Sequence, residues 1–225
     1  MIGIALHDYH DAQSAFPSGT VRLTGITPER RLSWLASLLP YLEEGQVYRT
    51  LDLGLSNDVA PNDVALRVPL PYLLCPGITE RDDDDSPGLT HYVGMAGVGT
   101  NAANLSLTSP KAGFFGYERR LTIPDIKDGL ACTVAVIESE SAIGPWLAGG
   151  RATVRGLDPD DRPYIRLGGP FGTKHRTDSI FRTHPVLANV AFADASARPL
   201  DSSISAHVLE CLATVAGGET IDESY

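Results

Sequence analysis

Apolar residues stand at positions 2, 5, 6, 9, 12 and 16 (Ile2, Ala5, Leu6, Tyr9, Ala12 and Phe16), a helical spacing that predicts one amphipathic helix ending at Pro17-Ser18-Gly19. The pattern opens on the first residue without a Ser, Thr, Asp or Asn to cap it, so it reads as the lower end of a longer helix. A second stretch, PERRLSWLASLLPYLEEGQVYRTLD, places Leu32, Leu35, Leu38, Leu39 and Leu42 on one face, and Pro40 splits it into two short helices. PNDVALRV reads as one turn of helix, and PLPYLLCPG as a short edge strand bounded by prolines.

Periodicity then fades. Residues 77–120 are rich in Gly, Asp, Ser, Thr and Asn and are expected to be mostly loop, broken by the strand-like LTHYVG and by GFFGY. An Asp-Gly turn and the β-branched run of IPDIKDGLACTVAVIESESA give the clearest central strand, after which residues 144–182 return to irregular Gly, Pro and Arg. VLANVAFADASARPL alternates on both sides of Asp194-Ala195-Ser196 and predicts a hairpin; SAHVLECLATVAGGE predicts a helix stopped by Gly217-Gly218. Helices first, strands and loops next, a hairpin and helix last: this is an α+β order, without the alternation of a parallel α/β sheet.

Composition narrows the function. A chain of 225 residues, 43% apolar, has enough material for one sizeable core. A net charge of −10 with basic residues clustered no further than Arg30-Arg31 and Arg119-Arg120 excludes a nucleic-acid partner and disfavours an anionic membrane surface. Cys75, Cys132 and Cys211 form no C-x-x-C pair and are expected as small buried hydrophobes. No apolar run reaches the roughly 20 residues that span a bilayer.

Candidate chemistry is sparse. His7 and His10 lie three apart, as do Asp8 and Asp11, but at about 100° per residue the four do not converge, and a solvated face with one packed histidine is expected rather than a metal site. The acidic run Asp82, Asp83, Asp84 and Asp85 offers oxygen ligands to calcium without the spacing of an EF-hand. GMAGVGTN lacks the lysine of a phosphate loop and is expected to be a plain loop. No nucleophile elbow or zinc-protease motif is present, so no catalytic residue is assigned and no cofactor is expected other than that candidate calcium. His184 and Asp194, nine residues between them, read as a strand-entry residue before proline and a turn residue. A runner-up function, a carbohydrate-binding or hydrolytic domain, would use the 77–120 loops and needs two carboxylates facing each other across a cleft.

With these residues the chain resembles a bacterial prepilin-type family of unknown function. The likeness is carried by IGIALHDYHDAQSAFPSG, LSWLASLLPYLEEGQVY, YLLCPG, THYVGMAG, IPDIKDGLACTVAVIES, THPVLANVAFADASARPL and LATVAGGE, in that order over nearly the whole chain. Members carry a type IV prepilin signal, a long N-terminal helix and, near the C-terminus, His, nine residues, then Asp-Gly. The resemblance implies a pilin-like or pseudopilin-like head over residues 1–225: an N-terminal helix, with 1–16 its remnant, packed on an antiparallel sheet, with extended loops and a C-terminal hairpin plus helix.

It further implies a non-enzymatic, exported protein of the cell envelope or exterior. Its partners would be other subunits of an envelope or pilus-like assembly, with membrane contact only through a helix segment this sequence does not contain. The motif residues are His184, Asn189 and Asp194. The sequence departs from the family pattern in two places: Ala195 stands where Gly follows the Asp, and Val186-Leu187 where Gly-Gly often follows His-Pro. The resemblance also implies that Cys75 pairs with a cysteine upstream of Met1.

Overall fold

The computed structural model describes residues 1–75, 86–172 and 186–219. Its first element, α1 (Ile2–Gln13), follows the apolar stripe but stops earlier than the spacing predicts. Ser14 takes a left-handed conformation, φ 59°, and its N–H closes on the carbonyl of His10 at 2.7 Å. Ala5 and Leu6 are buried; Ala12 is exposed; Phe16 reaches the core from the extended segment beyond the helix, where its N–H bonds the carbonyl of Leu121.

The leucine-rich stretch forms α2 (Trp34–Leu38), a 3₁₀ turn at Leu39–Tyr41 holding Pro40, and α3 (Gly45–Thr50). Ser33 caps α2, accepting from the N–H of Leu35 while its hydroxyl donates to the carbonyl of Trp146. All five predicted leucines are buried. After α4 (Asn62–Ala65), the expected edge strand PLPYLLCPG is instead a 3₁₀ turn over Pro71–Leu73. Pro71 opens that turn, where a missing N–H is harmless, whereas in a ladder it would remove a hydrogen bond.

Among the described residues seven strands follow: β1 (Leu89–Thr90), β2 (Tyr92–Val98), β3 (Val134–Glu138), β4 (Gly144–Pro145), β5 (Val154–Leu157), β6 (Leu187–Phe192) and β7 (Ala197–Asp201). β1 and β4 pair alone; the other five form one sheet in the order β5-β2-β3-β6-β7. Every pairing in it is antiparallel except β5 with β2. The predicted central strand is therefore the middle strand, buried along its whole length.

Two expectations for the loop-rich regions are corrected. GMAGVGTN is not a plain loop: its first five residues complete β2. Gly94 interrupts the apolar pattern because the Phe115 ring lies where a side chain would go, 2.5 Å from a would-be Cβ. Residues 144–182, expected to be irregular, supply β4 and β5.

Two hydrophobic clusters flank the sheet. One joins α1 and α2 to Ala96, Ala135, Val136 and the Phe114-Phe115 pair; the other joins α5 (Ala206–Ala213) to Met95, Val134, Ile137, Val190 and Phe192. Neighbours such as Met95 and Ala96 divide between the faces as the pleat requires. Helix α5 is capped by Ser205 and ends at Thr214, before the glycine pair expected to stop it. The result is an N-terminal helix on a largely antiparallel sheet with a C-terminal hairpin and helix, the predicted α+β class.

Candidate functional site

The hairpin β6–β7 turns at residues 193–196, and Asp194 makes the turn: its Oδ1 accepts from the backbone N–H of Ser196 at 2.9 Å and from the Ser196 hydroxyl at 2.6 Å. Ala195 adopts φ 67°, the left-handed region that glycine would enter freely. The turn expected from the alternation is thus kept without the family's glycine.

A glycine is needed on the other side of this contact. A Cβ on Gly3 would stand 2.9 Å from the Ala195 Cα, so the first turn of α1 reaches the hairpin only because position 3 has no side chain. His7, one turn further, hydrogen-bonds through Nε2 to the carbonyl of Ala193 at 2.7 Å. His10 packs on Phe16, ring centroids 4.7 Å apart, and the Asp11 carboxylate stays 3.8 Å from its Nδ1, beyond hydrogen-bond reach. The two histidines therefore fasten and pack the helix. Among the described residues no group of three or more His, Cys, Asp and Glu could hold a metal ion.

Helix start and hairpin enclose a groove of about 340 Å³, walled by Met1, Ile2, Tyr72, Tyr92, Asn189 and Arg198. Behind the groove's Asn189, the last residue of β3, Glu138, is fully buried. Its Oε2 accepts from the Asn189 backbone N–H at 3.1 Å and from the Asn189 side-chain amide at 2.7 Å. Tyr92 is Glu138's partner across the β2–β3 ladder, and burial, reinforced by the charges of Glu138 and Cys75, pushes its phenol up to about 12. The Tyr72 hydroxyl is buried without a hydrogen-bond partner among the described residues, and burial raises its pKa further still. Cys75 is buried, and its backbone N–H donates to Nδ1 of buried His91 at 2.8 Å, so that nitrogen carries no proton.

Of the residues singled out by sequence, the structure brings Asn189 into the groove and sets Asp194 in the turn beside it. His184 and the calcium candidates Asp82, Asp83, Asp84 and Asp85 lie outside the described residues. Glu138, Tyr72 and Tyr92 lie inside stretches that carry the resemblance, but nothing there singles them out as site residues. The one available signal is the carboxylate ending an otherwise apolar, β-branched run, a charge placed where a buried strand meets a site. Chemically the groove offers aromatic walls, an amide clamped by a carboxylate and an arginine, which suits holding a polypeptide segment or a small polar molecule.

The profile of a family described as "Protein of unknown function (DUF1559)" matches residues 1–207. The chain belongs to that family. No curated protein and no solved structure gives a match. The span matched to DUF1559 contains every residue of the groove, from Met1 just before α1 to Pro199 on β7. Among the described residues, no helix of this DUF1559 chain is long and apolar enough to cross a membrane.

Proposed function

We propose that this DUF1559 chain is the globular head of an exported, non-enzymatic pilin-like or pseudopilin-like subunit that works in a cell-envelope assembly. One observation carries the reading: α1 is fixed to the hairpin by the Gly3–Ala195 approach and the His7 hydrogen bond, yet Met1 and Ile4, 64% and 60% exposed, project an apolar surface from the same turn. A helix held rigidly on a sheet with apolar side chains facing outward suits lateral contact between subunits. The prepilin-type resemblance of the ordered motifs supports the same role.

The test is photo-crosslinking in the native host, with a benzophenone amino acid replacing Ile4 and fractionation of the cells. The expected result is an envelope-fraction chain that crosslinks to copies of itself or to other envelope subunits, with Ile4→Asp in the neighbouring copies abolishing the adduct. Recovery of the chain in the cytoplasm, with no adduct, overturns the proposal.

A further inference from the structure

Strand β5 carries Arg155, which is only 5% exposed although it sits on the edge strand of the sheet. Its Nη1 donates to the carbonyl of Ser141 at 2.9 Å and, more weakly, of Pro170 at 3.4 Å; Nη2 reaches the carbonyl of Ala142 at 3.5 Å. The guanidinium carbon stands 5.8 Å from the centre of the Phe171 ring. Its Nε is buried and has no hydrogen-bond partner among the described residues. Burial, with Arg151 nearby, lowers the pKa of this guanidinium to about 10.

Arg155 lines a cavity of about 220 Å³ together with Arg151 and Arg166. Among the described residues, none of the three has a carboxylate within 4.0 Å, whereas Arg22, Arg30, Arg31 and Arg162 each have one. Two carboxylates, Asp158 and Asp161, also line the cavity, and Asp158 is partly engaged in its own turn, accepting from the N–H of Asp160. Three cations against two anions make this lining positive in a chain whose net charge is −10.

The surrounding backbone is held to this arrangement. Ala142 takes φ 48°, a left-handed conformation unfavourable for alanine, in the turn whose carbonyls meet Arg155. Gly156, next to Arg155, lets β5 close on the loop after β2: a Cβ there would stand 2.5 Å from the carbonyl oxygen of Gly99. Ser141 and Thr100 add hydroxyls to the lining.

We infer that this cavity binds a compact oxyanion, a phosphate, sulfate or small carboxylate group, held by the fork of Arg155 with Arg151 and Arg166. A water molecule's share of liquid is about 30 Å³, so the space admits such a group with part of its hydration. Guanidinium forks suit the paired oxygens of these anions, and an anion supplies the countercharge that buried Arg155 lacks among the described residues. This inference is independent of the assembly role.

The test is calorimetric titration of the full chain with inorganic phosphate, sulfate and succinate, each at one fixed ionic strength so that general screening is constant. One anion bound per chain is expected, and comparison of succinate with the two tetrahedral ions separates a carboxylate ligand from a phosphate-like one. Exposed Arg151→Ala should weaken binding about tenfold, the loss of one charge-assisted hydrogen bond. Arg155→Lys, which keeps the charge but loses the fork, should weaken it as well, while Arg49→Ala on α3 leaves it unchanged. Absence of binding by all three anions overturns the inference, and so does binding that survives both cavity variants or is weakened equally by Arg49→Ala.

Discussion

Two arginines of this chain are buried to nearly the same degree, Arg119 at 7% and Arg155 at 5%, and burial lowers the pKa of each to about 10. Their surroundings differ. Arg119 is caged by main-chain carbonyls: Nε and Nη2 donate to Leu105, Nη2 also to Ala102, and Nη1 to Phe115 and Gly113. All three of its nitrogens are used. Among the described residues Arg155 has one good bond, two long ones and an Nε with no partner. Equal desolvation thus has opposite meanings: a saturated guanidinium organises the loops around itself, and an unsaturated one retains capacity for something else.

Removing the cage's centre should have the largest effect. Arg119→Met orphans several buried carbonyls and should cost about 3 kcal/mol or more, read as a lower urea midpoint at unchanged slope. If Arg155→Met costs as much, the distinction between the two collapses. Gly113→Ala attacks the same cage from its wall, because a Cβ there would stand 2.3 Å from the Gly97 nitrogen and 2.6 Å from the Ala213 carbonyl oxygen; about 1–3 kcal/mol is expected from such overpacking.

Alkali separates the arginines from the tyrosines. For Arg119 and Arg155 the folded pKa, about 10, lies below the ordinary 12.5, so the unfolded chain binds more protons in that window and these two groups favour folding increasingly as pH rises. Tyr92 and Tyr164 act oppositely: raised from 10.0 to about 12, they hold protons in the folded state that the unfolded chain releases, and stability falls between pH 10 and 12. Tyr9, Tyr72 and Tyr117 are raised as well, so net loss above pH 10 is expected, with tyrosinate absorbance appearing together with unfolding. In Arg119→Met and Arg155→Met alike, that loss should steepen. The smallest effect is expected from Arg155→Met in anion-free buffer: within about 1 kcal/mol, since an unbranched apolar side chain replaces a poorly satisfied buried charge.

The same contrast explains what the sequence reveals. β3 is legible because Val134, Ala135, Val136 and Ile137 form an unbroken apolar run, and the hairpin because alternation flanks a turn residue that bonds its own backbone. Only the start of β2, in the strand-like LTHYVG, is legible; the rest of β2 and all of β5 are not, because Gly94, Gly97 and Gly156 mark close approaches whose partners lie far away in the chain. PLPYLLCPG misleads for a related reason: bounding prolines suit a 3₁₀ turn as well as an edge strand. At the groove, Asn189 and Asp194 enter through the family likeness, whereas Glu138 acquires its role only when β3 and β6 are side by side. Arg155 in VRGL is equally silent, since its environment is assembled from loops at 141–142 and 170–171.

One consequence of the strand order concerns self-association. The outer strand β7 carries Arg198 and Pro199, the latter opposite Asn189, and proline has no N–H to offer an incoming strand. That rim of the sheet resists templated growth of the kind that ends in fibrils. At a rim shielded against indiscriminate strand addition, any contact between copies is left to side-chain complementarity, which mutation tunes one residue at a time.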